Sequence, residues 1–338
     1  MHDRFHLRAA SALRRIIDME WSTRLTDLLN IQYPIIQGGL AYLGYADLAA
    51  AVSNAGGLGQ ITAMSLPDAD SLRCEIQRIH ALTDKPFGVN LALGMQRADL
   101  ADRLQVIMEE NVSVVSITGG NPTDMLNELR RTDIITLVLV SSRRQAQKAE
   151  ALGASAVIVV GNEGGGHLGR DGVGTMVLVP SIADAVQIPV IASGGIGDGR
   201  GWMAAQALGA EGIVMGTRFI ATQECVHASE SYKRALVSSS ETDTTIIKAS
   251  IGSPGRVLRN AFAQHIVETE QRTPGYEQIQ HLIRGQVNRR WIHDGYEEEG
   301  FGWAGQVTGL IEDIPTVSEL INRMIAEAGR IRHAWGSS

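Results

Sequence analysis

The chain has 338 residues, 44% of them hydrophobic and 20% charged, with 37 glycines and only 5% aromatics. These proportions suit a globular fold and exclude the disordered, collagen-like and disulfide-scaffold classes. A formal charge of −7 without a basic block argues against a nucleic-acid partner, and apolar stretches of about eight residues fall far below the roughly 20 needed to cross a bilayer.

The first 18 residues, MHDRFHLRAASALRRIID, carry four arginines and a weak amphipathic pattern but no continuous apolar core. They are not a secretory signal. A transit peptide is one reading; a mobile extension, or a start codon chosen ahead of Met19, is preferred. Residues 1–21 are therefore set apart as an N-terminal extension that need not be ordered.

Eight short apolar runs follow, at Pro34–Gln37, Leu58–Thr62, Phe87–Leu91, Val114–Thr118, Thr136–Val140, Ala156–Val160, Pro189–Ser193 and Gly212–Gly216. They start 20 to 33 residues apart, about the length of a βα unit. Runs without polar alternation, rich in Val and Ile, are what strands buried on both faces look like. The stretches between them have helical periodicity. Ala46–Asn54 stops before Gly56-Gly57, and Arg143–Leu152 stops at Gly153, each a suitable helix end.

Eight such units predict an α/β fold, a (β/α)8 TIM barrel over residues 22–224. An open doubly wound sheet is the alternative, because periodicity cannot see closure. Residues 225–338 show helical patterns and no further strand run. They are read as a mainly helical C-terminal extension covering the barrel mouth, with a candidate linker at Gly252–Gly255. Cys74 and Cys225 have no zinc or redox spacing, so two unpaired thiols in a reducing cytoplasm are expected.

In a barrel, function collects where strands run into their βα loops. The seventh run ends Ser193-Gly194-Gly195-Ile196-Gly197-Asp198-Gly199 and the eighth ends Met215-Gly216-Thr217-Arg218. Glycines admit a ligand close to the backbone, and a following helix N-terminus offers N–H groups to an anion. Two adjacent loops of this kind predict a phosphorylated cofactor, although tight turns alone also use glycine. No G-x-G-x-x-G fingerprint follows the first run, against a Rossmann site.

The sixth run leads into Gly161-Asn162-Glu163-Gly164-Gly165-Gly166-His167-Leu168-Gly169, one histidine among five glycines. His167 suits proton transfer or hydrogen bonding to an anion, against the plain alternative of a packing or surface histidine. No partner stands at metal-ligand spacing, so no metal is expected. Gln37, Gly38 and Gly39 at the end of the first run, Asn90 in the third, and Thr118 at the end of the fourth could meet a flat heteroaromatic ring at the same mouth. Each taken singly is ordinary turn chemistry.

These residues resemble the nitronate monooxygenase (2-nitropropane dioxygenase-like) family of FMN-binding barrel enzymes. The matching pieces are YPIIQGGL (33–40), AAAVSNAGGLG (49–59), PFGVNL (86–91), GGGHLG (164–169), PVIASGGIGDGRG (189–201) and MGTRFIAT (215–222), with AGQVTGLI (304–311) matching more loosely. The resemblance implies FMN as cofactor. Its phosphate would lie on Gly194, Gly195, Gly216 and Thr217, with Ser193 and Gly166 beside the pocket. Gln37, Gly38 and Asn90 would lie along the isoalloxazine, His167 would face flavin and substrate, and Gly305 and Gln306 would close the pocket. Relatives often place a lysine in the fifth strand, where this chain has Leu139.

The resemblance implies a small-molecule substrate and leaves three chemistries open. The first is oxidation of alkyl nitronates by O2 to a carbonyl compound and nitrite. The second, supported by RVLRNAF (256–262) and the 304–311 match, is NAD(P)H:quinone reduction. FMN-dependent enoyl-ACP reduction or a non-catalytic FMN-binding barrel is a more distant reading. In the first chemistry, protonated His167 would attract the nitronate, and the neutral imidazole would take a proton from a nitroalkane. The oligomeric state is open, a homodimer included.

Overall fold

The computed structural model describes residues 21–95 and 97–336. The expected extension lies outside them except for Trp21, which is buried and packs on Trp202 with ring centroids 4.4 Å apart.

The eight apolar runs are the eight strands of one parallel barrel. They are β1 Ile35–Gln37, β2 Gly59–Thr62, β3 Phe87–Ala92, β4 Val114–Thr118, β5 Ile135–Val140 and β6 Ala156–Val160, then β8 Val190–Ser193 and β9 Gly212–Met215. The number β7 belongs to Gly166–His167, a two-residue strand outside the barrel. The barrel order is β1-β9-β8-β6-β5-β4-β3-β2, and a single parallel bridge between Ile36 and Leu58 joins β1 to β2. That bridge decides for the barrel over the open sheet.

Successive strand residues face opposite sides, and the two sides have separate cores. Ile36, Val114, Leu137, Ala156, Ile158, Val160, Ile191 and Val214 fill the barrel interior. Their neighbours Ile35, Val115, Val138, Val157, Val159, Ala192 and Ile213 pack under the helices. Both faces are dry, which is why no polar alternation shows in the sequence. Helix α1 (Arg24–Leu29) plugs the strands' N-terminal end with Leu25 and Leu29; a β-carbon on Gly212 would sit 2.3 Å from Leu25.

Around the barrel run α2 (Ala46–Asn54), α3 (Ala69–Leu82), α4 (Arg97–Glu109), α5 (Thr123–Leu129), α6 (Arg143–Ala151), α7 (Thr175–Ala183) and α8 (Gly199–Ala207). A one-turn α9 (Thr217–Ile220) follows β9. The C-terminal third departs from the expectation of a mainly helical, mouth-covering extension without strand runs in two ways. It contains strands β10 (Thr244–Ile247) and β11 (Gly255–Leu258), which make an antiparallel sheet with β7 in the order β10-β11-β7. The Gly252–Gly255 stretch is accordingly no linker; it belongs to the hairpin connection and the first residue of β11. Strands of two and four residues carry too little pattern to stand out among helices.

The helices of this third are α10 (Glu230–Ser238), α11 (Ala261–Arg272), α12 (Tyr276–Ile279), α13 (Gly285–Ile292) and α14 (Val317–Gly336). A small core of Ile247, Val257, Ala263, Ile266, Ile279, Leu282 and Phe301 holds the sheet to α11 and α12. Helix α14 does not cover the mouth. It returns to the barrel wall and packs on α8 and α2, where a β-carbon on Gly199 would lie 2.7 Å from the Ala328 nitrogen. The eighth barrel helix is thus supplied by the chain's end, and residues 225–316 form an insertion after the eighth strand. Among the described residues no helix is long and apolar enough to cross a membrane. No group of three His, Cys, Asp or Glu among them could hold a metal, and Cys74 and Cys225 are free.

Candidate active site

The loops after β8 and β9 have the backbone that an anion grip requires. Gly194 and Gly195 have φ of +99° and +74°, a region closed to most side chains. Helix α9 starts at Thr217 and so has first-turn N–H groups without intrahelical partners. Among the described residues no acceptor takes up the N–H groups of Gly195, Gly216 or Thr217. The buried Thr217 hydroxyl accepts the Gly305 N–H at 3.0 Å, which leaves its own proton to donate. A phosphate fits this donor set. Arg218 is not part of it: its buried guanidinium bonds Asp313, 2.9 Å away.

Gly305 reaches this place through close backbone contact. A β-carbon on Gly165 would lie 2.6 Å from the Ala304 and Gly305 backbone, and the Gln306 N–H donates to the Glu163 carbonyl at 2.9 Å. The Glu163 carboxylate in turn receives the Thr175 N–H (3.0 and 2.9 Å) and hydroxyl (2.9 Å). The Thr175 hydroxyl also lies 3.0 Å from the Gly194 carbonyl. The loops after β6 and β8 and the 304–306 segment are therefore one hydrogen-bonded unit.

The other expected contacts divide. Asn90 is buried with its amide on the Ser116 hydroxyl at 2.9 Å, and a β-carbon on Gly39 would fall 2.4 Å from that amide. Gly38 and Thr118 are half-buried at the same strand ends. Gln37 is different. It is fully buried and its Nε2 donates to the Gln60 carbonyl at 2.9 Å, while Gln60 Nε2 donates back to the Gln37 carbonyl at 2.6 Å. Its amide ties β1 to β2 and is not free to meet a ring. Leu139 faces the apolar barrel interior and brings no charge.

His167 stands at the mouth on β7, exposed on one side, and its surroundings come from the insertion. Register explains how. Gly255 pairs with both Ile247 and His167, so the three residues form one row across the small sheet. Lys248 follows Ile247 directly. Because the middle residue is glycine, the Trp303 ring comes close against the strand; a β-carbon on Gly255 would be 2.6 Å from it. Trp303 then packs against the His167 ring at 5.3 Å, and the Lys248 ammonium lies 5.4 Å from the indole centroid. Lys248 Nζ is 2.6 Å from His167 Nε2.

Lys248 is buried, has φ of +64°, and its N–H donates to Glu270 at 2.7 Å. Burial pushes its ammonium down to about 8, with Glu270 opposing. His167 is pushed down to about 4, first by crowding among protein atoms and then by the Lys248 cation. At neutral pH this favours the uncharged imidazole, with the adjacent charge on Lys248, and so the neutral one of the two forms expected of His167. Arg256, opposite Gly166 in the ladder, spends its guanidinium on the Asn162 carbonyl (3.2 and 3.0 Å) and the Thr244 hydroxyl (3.0 Å).

Sequence reasoning missed Lys248 and Trp303 as site residues. Trp303 directly precedes the AGQVTGLI match, a usable signal; Lys248 carries none, being 81 positions from His167.

A barrel with a free N–H grip at its last two strands and a polar, proton-bearing mouth is the architecture of a cofactor-dependent barrel enzyme. A family model described as nitronate monooxygenase matches residues 22–103 and 95–327. The chain belongs to the nitronate monooxygenase family and is a flavin-dependent oxidoreductase acting on a small molecule.

Among relatives, the (3aS,4S,5R,7aS)-5-hydroxy-7a-methyl-1-oxo-octahydro-1H-indene-4-carboxyl-CoA dehydrogenase of Rhodococcus jostii (strain RHA1) is 32% identical, over 93% of this chain and 98% of that protein. Among solved structures, FabK from Thermotoga maritima superposes with a TM-score of 0.88 at 42% identity, covering 94% of this chain and 99% of that one. Nitroalkane oxidase from Streptomyces ansochromogenes gives 0.81 at 30% identity, covering 93% and 100%.

Proposed function

We propose that this protein binds FMN and oxidises alkyl nitronates with O2 to a carbonyl compound and nitrite. The observation that carries the reading is the Lys248–His167 pair: a neutral imidazole beside a buried ammonium suits a substrate that arrives already anionic. The similarity to a nitroalkane oxidase supports it. FMN would supply the two-electron acceptor that O2 reoxidises. Gly194, Gly195, Gly216 and Thr217 would hold its phosphate, with Gly38, Gly39 and Asn90 along the ring. Lys248 attracts the anion, His167 orients it, and Trp303 with the 304–306 segment limits water at the mouth.

A second reading, NAD(P)H-driven reduction of a quinone or an unsaturated thioester, is favoured by one observation. The same pair can hand a proton to an oxygen or carbon that gains electrons. Anaerobic mixing of the yellow protein with a nitronate, NADH or NADPH separates the two. Bleaching by the nitronate without pyridine nucleotide is expected. Rapid bleaching by NADH with no response to nitronate would overturn the first reading.

A further inference from the structure

We propose that Lys248 is the positioning residue for His167, its ammonium occupying Nε2 so that the imidazole keeps its proton on Nδ1 and serves the mouth as a donor. The inference rests on the reading above only in taking His167 as the group that meets substrate.

An ammonium has three donors and no acceptor. At 2.6 Å from Lys248 Nζ, Nε2 must therefore supply the lone pair while Lys248 is charged, and the ring proton stands on Nδ1. Among the described residues no protein group bonds Nδ1, and His167 is an exposed residue. The donor is thus presented where a ligand would lie. A base role is closed as long as Lys248 is charged, because the only lone pair is taken.

Among the described residues no other group hydrogen-bonds the ammonium or the imidazole, although Glu270 acts on the ammonium through its charge. Glu270, on α11, is engaged by the N–H groups of Lys248 and Ser250 and by the Ser250 hydroxyl at 2.6 Å. Arg170 donates to the Gly252 carbonyl at 2.7 Å, and Arg256 and Glu163 have the partners described above. The αL backbone of Lys248 and the bare strand at Gly255 are what bring the ammonium and the indole onto the imidazole.

The pair also defines a balanced proton step. When Nδ1–H passes to a substrate atom, a Lys248 proton moves along the same contact to Nε2. The substrate gains one proton, Lys248 becomes a neutral amine, and the imidazole stays neutral with its proton on Nε2. Solvent then protonates Nδ1 as Nε2 returns its proton to the Lys248 amine, which restores the starting pair.

The test is the tautomer itself, read by two-bond proton–nitrogen spectra of holoprotein carrying 15N-histidine, with His167→Gln assigning the signal. The wild type at pH 7 should show a neutral His167 protonated at Nδ1. Lys248→Met should move the proton to Nε2 and raise the ring's titration midpoint, whereas Lys248→Arg should keep Nδ1–H. Raising the pH of the wild type through the Lys248 transition near 8 should give the same change without any substitution, which covers a Met variant that fails to fold.

Nε2–H in the wild type at pH 7, or an unchanged tautomer in folded Lys248→Met, would overturn the proposal. Turnover should fall about 10- to 100-fold in Lys248→Met with bound flavin unchanged, and recover in Lys248→Arg. A tautomer change without loss of turnover would overturn the donor role. The expected tautomers in a protein that ignores nitronates would support Lys248 and count against the nitronate reading alone.

Discussion

At the scale of single residues, the site depends on one side chain and on the absence of another. A positioned acid or base typically supplies ~10²–10⁴-fold in rate, and the phosphate grip lies on different strands from His167. His167→Ala should therefore lose about two orders of magnitude in turnover while keeping its flavin, in steady-state assays on samples matched for flavin content. A loss under about threefold would leave His167 a packing residue. Gly195 is the converse case. Its φ of +74° disfavours any side chain, and a β-carbon there already meets Glu163 at 3.3 Å. Gly195→Leu should give a folded but colourless protein, checked by circular dichroism and the visible spectrum. Full flavin occupancy in that variant would move the phosphate site elsewhere.

At the scale of elements, the small sheet is what joins the insertion to the barrel mouth. Trp303 is held by its carbonyl, which accepts the Tyr232 hydroxyl, and by an edge-on contact with Phe301 at 5.2 Å. It has little room to yield. Gly255→Ala places a methyl 2.6 Å from the indole, and overpacking of this kind costs about 1–3 kcal/mol. The expected result is a lower urea midpoint, a changed tryptophan emission and slower turnover, because His167 and Lys248 both rest on that ring. Unchanged fluorescence and midpoint would mean that the indole does not lie on the strand. Thr217 links the other side of the insertion: its hydroxyl accepts the Gly305 N–H and keeps its own proton to donate, so under the proposed reading flavin binding and docking of the 304–306 segment would share a residue.

At the scale of the whole molecule, the two displaced bases make stability depend on pH. His167 titrates lower in the folded chain than its ordinary 6.5, down to about 4. Between those values the unfolded chain binds the extra proton, so stability rises with pH across that window and is lost as pH falls. His227, lowered chiefly by burial, adds in the same direction. Lys248, lowered from 10.5 to about 8, gives a second rise in stability between those values. Melting temperatures of the holoprotein from pH 4 to 7 should climb, and less steeply for His167→Gln. Parallel curves would show that the imidazole is not displaced.

The barrel itself was legible in the sequence: every boundary of the eight apolar runs agrees with its strand to within one residue. Strands buried on both faces are continuous apolar segments, and glycine-rich strand ends are equally legible, both being local properties. His167 stood out in the same way, as one titratable group in a loop of glycines. What the sequence could not decide was pairing. Closure rests on one bridge between Ile36 and Leu58, the reciprocal amides of Gln37 and Gln60 turn a supposed ring contact inward, and α14 closes the wall from the chain's end. The ammonium beside His167 exists only because Ile247, Gly255 and His167 share a row. Hydrogen-bond register between distant segments is fixed by tertiary packing, and no periodicity within either segment encodes it.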